Sequence, residues 1–192
     1  MELPKRKRNR LKDHDYSEPG SYFVTICTHD RKPVLSRIII NDALDGGITV
    51  GDGSPVPNSE SREAPVCKLT NLGKAALYYI AQIPIKYPTV SVDEYIIMPN
   101  HIHMVLTLSS PRAALPTEGG GTGNPSPTLG NIIGWFKYQT TVQINLLNKS
   151  PGAKVFQRSF YDHIIRDGSE YWTLRKCVSE NPAEWRRDML YV

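Results

Sequence analysis

The stretch that decides the fold runs from Val90 to Leu108, VSVDEYIIMPNHIHMVLTL. It contains two runs rich in apolar and β-branched residues, Val90–Ile97 and His101–Leu108, and each run is typical of a β-strand. The tripeptide Met98-Pro99-Asn100 separates them, and a proline followed by an asparagine suits a tight turn. We therefore predict that the two runs form an antiparallel hairpin.

The second of these strands begins with His101-Ile102-His103. Residues i and i+2 of a strand project from the same face, so both imidazoles point together while Ile102 packs the other way. Two neutral imidazoles side by side form half of a site for zinc, manganese or a related metal. The same spacing also occurs on solvated sheet faces, where histidines bind nothing. A metal site therefore needs a third ligand from elsewhere in the chain.

Further strands and helices are predicted on either side of the hairpin. Two segments upstream and one downstream are predicted to be extended: 20–28, 34–40 and 155–165. Three segments are predicted helices: 70–83, 128–147 and 167–180. The first helix has Thr70 or Asn71 as its N-cap, and the last is expected to end before Pro182, because proline cannot continue the hydrogen-bond ladder. The apolar stripe of the middle helix is predicted to contain Ile132, Ile133, Phe136, Val142 and Leu146.

This order of elements predicts an α+β fold in which an antiparallel sheet carries the helices on one face. The length of 192 residues favours one domain, here 15–192, with flexible loops near 45–65 and 109–127. No apolar run approaches the roughly 20 residues that span a bilayer. The three cysteines, Cys27, Cys67 and Cys177, form no CxxC pair, which argues against a disulfide framework or a zinc ribbon. We expect a cytoplasmic protein.

The positive charge is concentrated in a basic arm at residues 1–14. The net charge of the chain is +4, yet the first twelve residues hold six basic side chains against Glu2 alone. Such an arm can neutralise DNA phosphates, although a solvated terminus has the same composition. The arm residues expected to contact DNA are Lys5, Arg6, Lys7 and Arg8.

Five segments together resemble the REP-associated and IS200-like tyrosine transposases, which belong to the HUH single-strand DNA nucleases. The most specific of them is Asp93–His103, DEYIIMPNHIH. The other four follow in the order found in that family: 15–28, 127–137, 155–167 and 180–188. The resemblance implies a ferredoxin-like antiparallel sheet with helices packed on it, and the histidine pair on its central hairpin.

The resemblance also implies a chemistry. In that family a divalent metal, Mg²⁺ or Mn²⁺, polarises a scissile phosphate in single-stranded DNA, and a tyrosine of the last helix becomes linked to the 5′-phosphate. REP-associated members recognise palindromes that fold as DNA hairpins. The partner implied for this chain is therefore hairpin-forming single-stranded DNA, bound by a monomer or a homodimer.

The chain departs from the family pattern at the nucleophile. The register of the last helix places Cys177 where the family has its tyrosine, and Asn181 one turn later. The resemblance thus implies His101, His103 and Asn181 as metal ligands, although Asn181 also suits a helix end before Pro182. A thiol is a poor nucleophile towards a phosphodiester, so we expect Cys177 to be a buried structural residue and the chain to be unable to cut DNA as it stands.

Two further questions stay open at the level of sequence. Additional DNA contacts are predicted at Lys137, Lys154, Arg158 and Arg166, and none of Tyr138, Tyr161 and Tyr171 is assigned the role of nucleophile. The alternative to a disarmed transposase is a domesticated protein that binds repetitive DNA hairpins without cutting them. A third hypothesis, a small structural metalloprotein without DNA, explains fewer of these residues.

Overall fold

The structure, a computed structural model, describes residues 14–39, 64–110 and 127–191. Its strands are β1 Gly20–Cys27, β2 Ser36–Ile39, β3 Val66–Leu69, β4 Val90–Ile97, β5 His101–Leu108 and β6 Tyr161–Ile165. Its helices are α1 Asn71–Lys86, α2 Leu129–Leu147 and α3 Gly168–Glu184, and two short 3-10 turns lie at His29–Arg31 and Trp185–Arg187. The arm residues Lys5, Arg6, Lys7 and Arg8 and most of both predicted loops lie outside the described residues.

Four strands form one antiparallel sheet in the order β4-β5-β1-β6. The predicted hairpin is confirmed, since β4 pairs with β5 through Ile97 opposite Ile102. Strand β1 lies between β5 and β6, and it brings Cys27 opposite His101 and Thr25 opposite His103. Strands β2 and β3 form a separate two-stranded ribbon, of which the β3 half was not predicted.

The sheet is covered on both faces. Alternate residues of β5, Ile102, Met104 and Leu106, pack into the main core together with α1 and α2. Val105 projects from the opposite face and forms a second cluster with Val178 of α3. The α+β class is confirmed, but the prediction that all helices lie on one face is wrong. Strand β5 is buried on both of its sides, so each side has a covering helix.

Helix α1 begins as predicted, and α3 ends later than predicted. The Thr70 side chain accepts a hydrogen bond from the Gly73 N–H at 3.1 Å, which confirms its role as the N-cap. Helix α3 runs through Pro182 to Glu184, so the predicted end before Pro182 is wrong. A proline removes one intrahelical donor, and α3 tolerates this loss in its last turn, where the chain tightens into the 3-10 turn that follows.

Two residues of the predicted α2 stripe face away from the core. Val142 is 39% exposed and Leu146 is 69% exposed. The buried stripe instead follows Phe136, Thr140 and Ile144, which are spaced four residues apart. Val142 lies two residues from both Thr140 and Ile144, which places it about 200° around the helix axis from each of them. The prediction was therefore wrong for Val142 and Leu146.

This difference in burial predicts a difference in stability between two matched variants of α2. We expect Ile144→Ala to lower the free energy of unfolding by about 2–5 kcal/mol, because Ile144 is 1% exposed and its removal leaves a cavity. Leu146→Ala should cost no more than about 0.5 kcal/mol. Urea unfolding monitored by circular dichroism measures both values. Equal losses for the two variants would contradict the burial described here.

The predicted extended segment 155–165 is a strand only in its second part, β6. Its first part contributes one isolated bridge, between Phe156 and Thr28. Within the described ranges, no helix combines the length and apolarity needed to cross a membrane.

Candidate metal centre

The histidine pair lies at the start of β5, on the sheet face that α3 covers. His101 is fully buried and His103 is 9% exposed. The two ring centroids are 4.4 Å apart. The prediction that both imidazoles project together is therefore confirmed, and neither ring is solvated as it would be on an open sheet face.

A neighbouring polar side chain contacts the Nδ1 atom of each imidazole. His101 Nδ1 lies 2.9 Å from Asn100 Oδ1, and the Asn100 amide nitrogen donates to the Leu190 carbonyl at 2.7 Å, which fixes the direction of the amide. His103 Nδ1 lies 2.9 Å from Thr25 Oγ1. Partners of this kind set the orientation of a ring and leave its Nε2 atom to act as a metal ligand.

Asp188 completes a group of three potential ligands. One of its oxygens, Oδ1, accepts a hydrogen bond from the Leu190 N–H at 2.7 Å. The other, Oδ2, lies 3.6 Å from His101 Nε2, and both atoms are buried without a hydrogen-bond partner among the described residues. One potential ligand atom from each of His101, His103 and Asp188 lies within 4.8 Å of the others. Asp188 was absent from the ligand set predicted from the sequence.

The electrostatics of this group suit a metal better than an ion pair. Burial lowers the pKa of His101 to about 4. Burial, with the neighbouring His101, lowers the pKa of His103 to about 3. Both imidazoles are therefore neutral near pH 7, so the Asp188 carboxylate has no charged partner in either ring. Two neutral imidazoles and a carboxylate form a donor set for a divalent metal, and the two unpartnered atoms at 3.6 Å fit that role.

The segment that carries Asp188 packs over the histidines. The Trp185 ring lies 5.9 Å from the His101 ring, and the Tyr191 ring meets Trp185 at 5.2 Å. Together with the bond from Asn100 to Leu190, these contacts attach the 3-10 turn and the residues after it to the start of β5. Water is thereby excluded from His101.

The two residues predicted on α3 have different environments. Asn181 is half-buried, and its Oδ1 is also a buried oxygen without a hydrogen-bond partner among the described residues, so its role as a ligand stays a prediction. Cys177 is exposed, and the expectation of a buried structural cysteine was wrong. Helix α3 turns Val178 and Pro182 inward, which places position 177 on the flank of the helix.

The three tyrosines considered as alternative nucleophiles, Tyr138, Tyr161 and Tyr171, differ in their distance from the histidines. Tyr171 donates a hydrogen bond to Asp93 at 3.1 Å, beside Thr107, which lies four residues along β5 from His103, or about 13 Å. Tyr138 is 66% exposed on α2, across the sheet from the histidines. Tyr161 is 54% exposed and shares the face of His103, because both residues pair with Thr25.

The predicted DNA contacts within the described residues are spread over several places. The Lys137 ammonium contacts the carbonyls of Gln157, Arg158 and Ser159, so it holds the segment before β6. Lys154 and Arg158 line a cavity of about 510 Å³ together with His29 and Asp30. Arg166 is exposed at the end of β6. A DNA role for these residues stays a prediction.

The hydrogen bond between Thr25 and His103 predicts a measurable effect on metal affinity. We expect Thr25→Val, which keeps the shape of the side chain but removes the hydroxyl, to weaken Mn²⁺ binding by about 10- to 100-fold, because His103 loses the group that orients it. Thr25→Ser keeps the hydroxyl and should bind Mn²⁺ as the parent chain does. Isothermal titration calorimetry measures both affinities. An unchanged affinity in Thr25→Val would show that Thr25 does not position a ligand.

Comparisons with known proteins agree with this architecture. No protein-family model matches the chain. An uncharacterized protein of Haemophilus influenzae is 30% identical over 194 residues, which cover 97% of this chain and 93% of the relative. Among solved structures, a REP-associated tyrosine transposase bound to a REP hairpin aligns with 95% of this chain and 74% of its own, at a TM-score of 0.53 and 15% sequence identity.

Proposed function

Since this chain belongs to one family with the Haemophilus influenzae protein and has the fold of a REP-associated tyrosine transposase, we propose that it binds hairpin-forming single-stranded DNA and a divalent metal. In this proposal His101, His103 and Asp188 would hold a divalent metal, Mg²⁺ or Mn²⁺, with Asn181 as a candidate fourth ligand. The metal would supply positive charge to a DNA phosphate at the start of β5. Cys177 stands at the position of the nucleophile and leaves the chain unable to cut the strand.

One observation carries the metal assignment. His101 Nε2 and Asp188 Oδ2 face each other at 3.6 Å, buried and without hydrogen-bond partners, while the second polar atom of each side chain is satisfied by Asn100 or by Leu190. A buried polar atom without a hydrogen-bond partner destabilises the folded protein. Two such atoms that face each other therefore indicate that a bound ion completes the site. A bound Mg²⁺ or Mn²⁺ would polarise a phosphate oxygen at this position.

Residues around the proposed metal site orient the imidazoles, exclude water and supply positive charge. Thr25 and Asn100 hold the imidazoles with their Nε2 atoms available, and Trp185 excludes water from one side of the site. Lys154 and Arg158 offer positive charge around the cavity that begins where β1 ends. Charges of this kind position a DNA backbone without reading its sequence. The solved transposase of the same fold is bound to a REP hairpin, which supports hairpin DNA as the ligand.

The exposure of Cys177 fits a disarmed transposase, because the side chain at position 177 has no buried packing role that a tyrosine would disturb. An exposed side chain at position 177, one helical turn before Asn181, leaves room for a larger residue without repacking α3. The alternative, a domesticated protein that only ever binds hairpins, predicts the same DNA affinity. The two hypotheses differ in whether a tyrosine at position 177 restores cleavage.

The direct test uses the tryptophan next to the site as a reporter. Because Trp185 lies 5.9 Å from His101, we expect added Mn²⁺ to quench the tryptophan fluorescence of the chain, and Trp185→Phe to abolish most of that quenching. A fluorescein-labelled DNA hairpin with a single-stranded tail then measures binding by anisotropy, in Mn²⁺ and in EDTA. A scrambled strand of the same length that forms no hairpin is the control. Absence of quenching together with equal affinity for both strands would refute the proposal.

A further inference from the structure

Part of the sheet face that carries the histidines is not covered by α3. Helix α3 packs mainly over β4 and β5. The second apolar cluster, built on Val105, Ile165 and Val178, begins beside the histidine pair, since Ile96 of this cluster pairs with His103, and it reaches β6 only at Ile165. On the other half of this face, β1 and β6 continue past α3 towards Thr25 and Tyr161, and Tyr161 remains 54% exposed there.

The strand register places Tyr161 in line with His103. Thr25 of β1 pairs with His103 of β5 on one side and with Tyr161 of β6 on the other. Residues paired across neighbouring strands project from the same face. Because neighbouring strands lie about 4.8 Å apart, the backbone of Tyr161 is about 10 Å from that of His103. A side chain at this distance reaches the nucleotides on either side of a phosphate held at the histidines.

A second ring stands beside Tyr161 on the same strand. His163 is two residues further along β6, so it projects from the same face, and its side chain is 38% exposed. Its Nε2 lies 2.6 Å from Glu170 Oε1, which fixes the ring. Phe23, opposite His163 in the register, lies between this pair and the site, since its ring is 5.0 Å from the His103 ring at an interplanar angle of 30°. Aromatic rings thus extend across three strands.

We propose that Tyr161 and His163 form a stacking platform for unpaired bases of the DNA strand whose phosphate lies at the histidines. This inference rests on the proposed function and names where its single-stranded part binds. Exposed aromatic rings on a sheet face stack splayed bases in other nucleic-acid-binding modules, and base-paired DNA cannot use them in this way. Arg158 and Arg166, both exposed, lie before and after β6 and supply charge for the adjoining phosphates.

The test places a fluorescent base next to the platform. A DNA hairpin carries 2-aminopurine at successive positions of its single-stranded tail, and stacking on Tyr161 quenches that base upon binding. We expect quenching at one or two adjacent positions. Tyr161→Ala should lose this quenching and bind the tailed hairpin roughly tenfold more weakly, whereas Tyr161→Phe should retain both properties. The matched control is Tyr78→Ala, because Tyr78 is 58% exposed on α1, across the sheet from the site.

The outcomes separate this inference from the proposed function. If the parent chain binds the hairpin and Tyr161→Ala binds it as Tyr78→Ala does, the platform is refuted and the proposed function stands. If the parent chain shows neither Mn²⁺ quenching nor hairpin binding, both fail. A covalent DNA adduct that disappears in Tyr161→Phe would also overturn the platform, since Tyr161 would then act as a nucleophile.

Discussion

A Cys177→Tyr variant is expected to form a covalent adduct with hairpin DNA in Mn²⁺, while the chain with cysteine forms none. Position 177 is exposed on α3 and lies one turn before Asn181, so both side chains occupy the same side of the helix. A tyrosine hydroxyl there supplies the oxygen nucleophile that the metal site otherwise lacks. Because loss of a covalent nucleophile is among the largest single effects in catalysis, we expect the rate of strand cleavage to rise at least about 1000-fold.

A denaturing gel with a 3′-labelled hairpin measures this effect, because the 5′-phosphate that joins the tyrosine belongs to the fragment with the labelled 3′ end. The adduct should appear with Cys177→Tyr in Mn²⁺ and be absent in EDTA. Cys177→Phe is the control, because phenylalanine has nearly the same shape and no hydroxyl. Hairpin binding without an adduct in Cys177→Tyr would favour the domesticated, non-cleaving protein. An adduct formed by the cysteine chain would show that the nucleophile lies elsewhere, and Tyr161 would be the first residue to replace.

Asp188→Ala is expected to weaken Mn²⁺ binding by at least about 100-fold. The carboxylate contributes the only negative charge in the group formed with His101 and His103. Replacing a residue that merely supports a ligand already costs 10- to 100-fold in affinity, and loss of a charged ligand should cost no less. Calorimetry and the Trp185 fluorescence signal both report this loss. Hairpin binding in EDTA should stay unchanged, because the positive side chains proposed to hold DNA phosphates are untouched.

Two matched variants decide which residue is the third ligand. Glu184→Ala removes another carboxylate from the end of α3, one that is 58% exposed and paired with Arg187, and it should leave Mn²⁺ affinity as it was. Asn181→Ala tests the ligand predicted from the sequence. If Asn181→Ala abolishes binding and Asp188→Ala does not, the ligand set inferred from the family register is correct and the one proposed from the geometry is wrong. Losses in both variants would make Asn181 the fourth ligand.

The features that local patterns determine were predictable from the sequence. The hairpin β4–β5 follows from two runs of strand-forming residues and a turn at Pro99-Asn100. The projection of His101 and His103 from the same face of β5 follows from the two-residue period of a strand. The cap at Thr70 is likewise a local signal. Each of these predictions depends on residues close together in the sequence, within Val90–Leu108 for the hairpin and within one helical turn for the cap.

The features that depend on tertiary packing were not predictable. Asp188 directly follows the 3-10 turn after α3, and no spacing rule relates it to His101. The preference of a histidine pair for a carboxylate partner was the one available signal, and the sequence offers many carboxylates. Leu146 is as apolar as Ile144, and only the direction from which the sheet approaches α2 decides which is buried. The position of α3 on the sheet face opposite to α1 and α2 likewise depends on tertiary packing, which local patterns do not encode.

If His101, His103 and Asp188 hold a metal as proposed, the position of Asp188 has a consequence for metal uptake during synthesis. The ribosome makes His101 and His103 long before Asp188, so a nascent chain can form the β4–β5 hairpin while the third ligand is still in the exit tunnel or not yet translated. A chain arrested before position 188 would display two imidazoles without the carboxylate. We therefore expect tight metal uptake only after the segment that follows α3 has emerged and docked on Asn100.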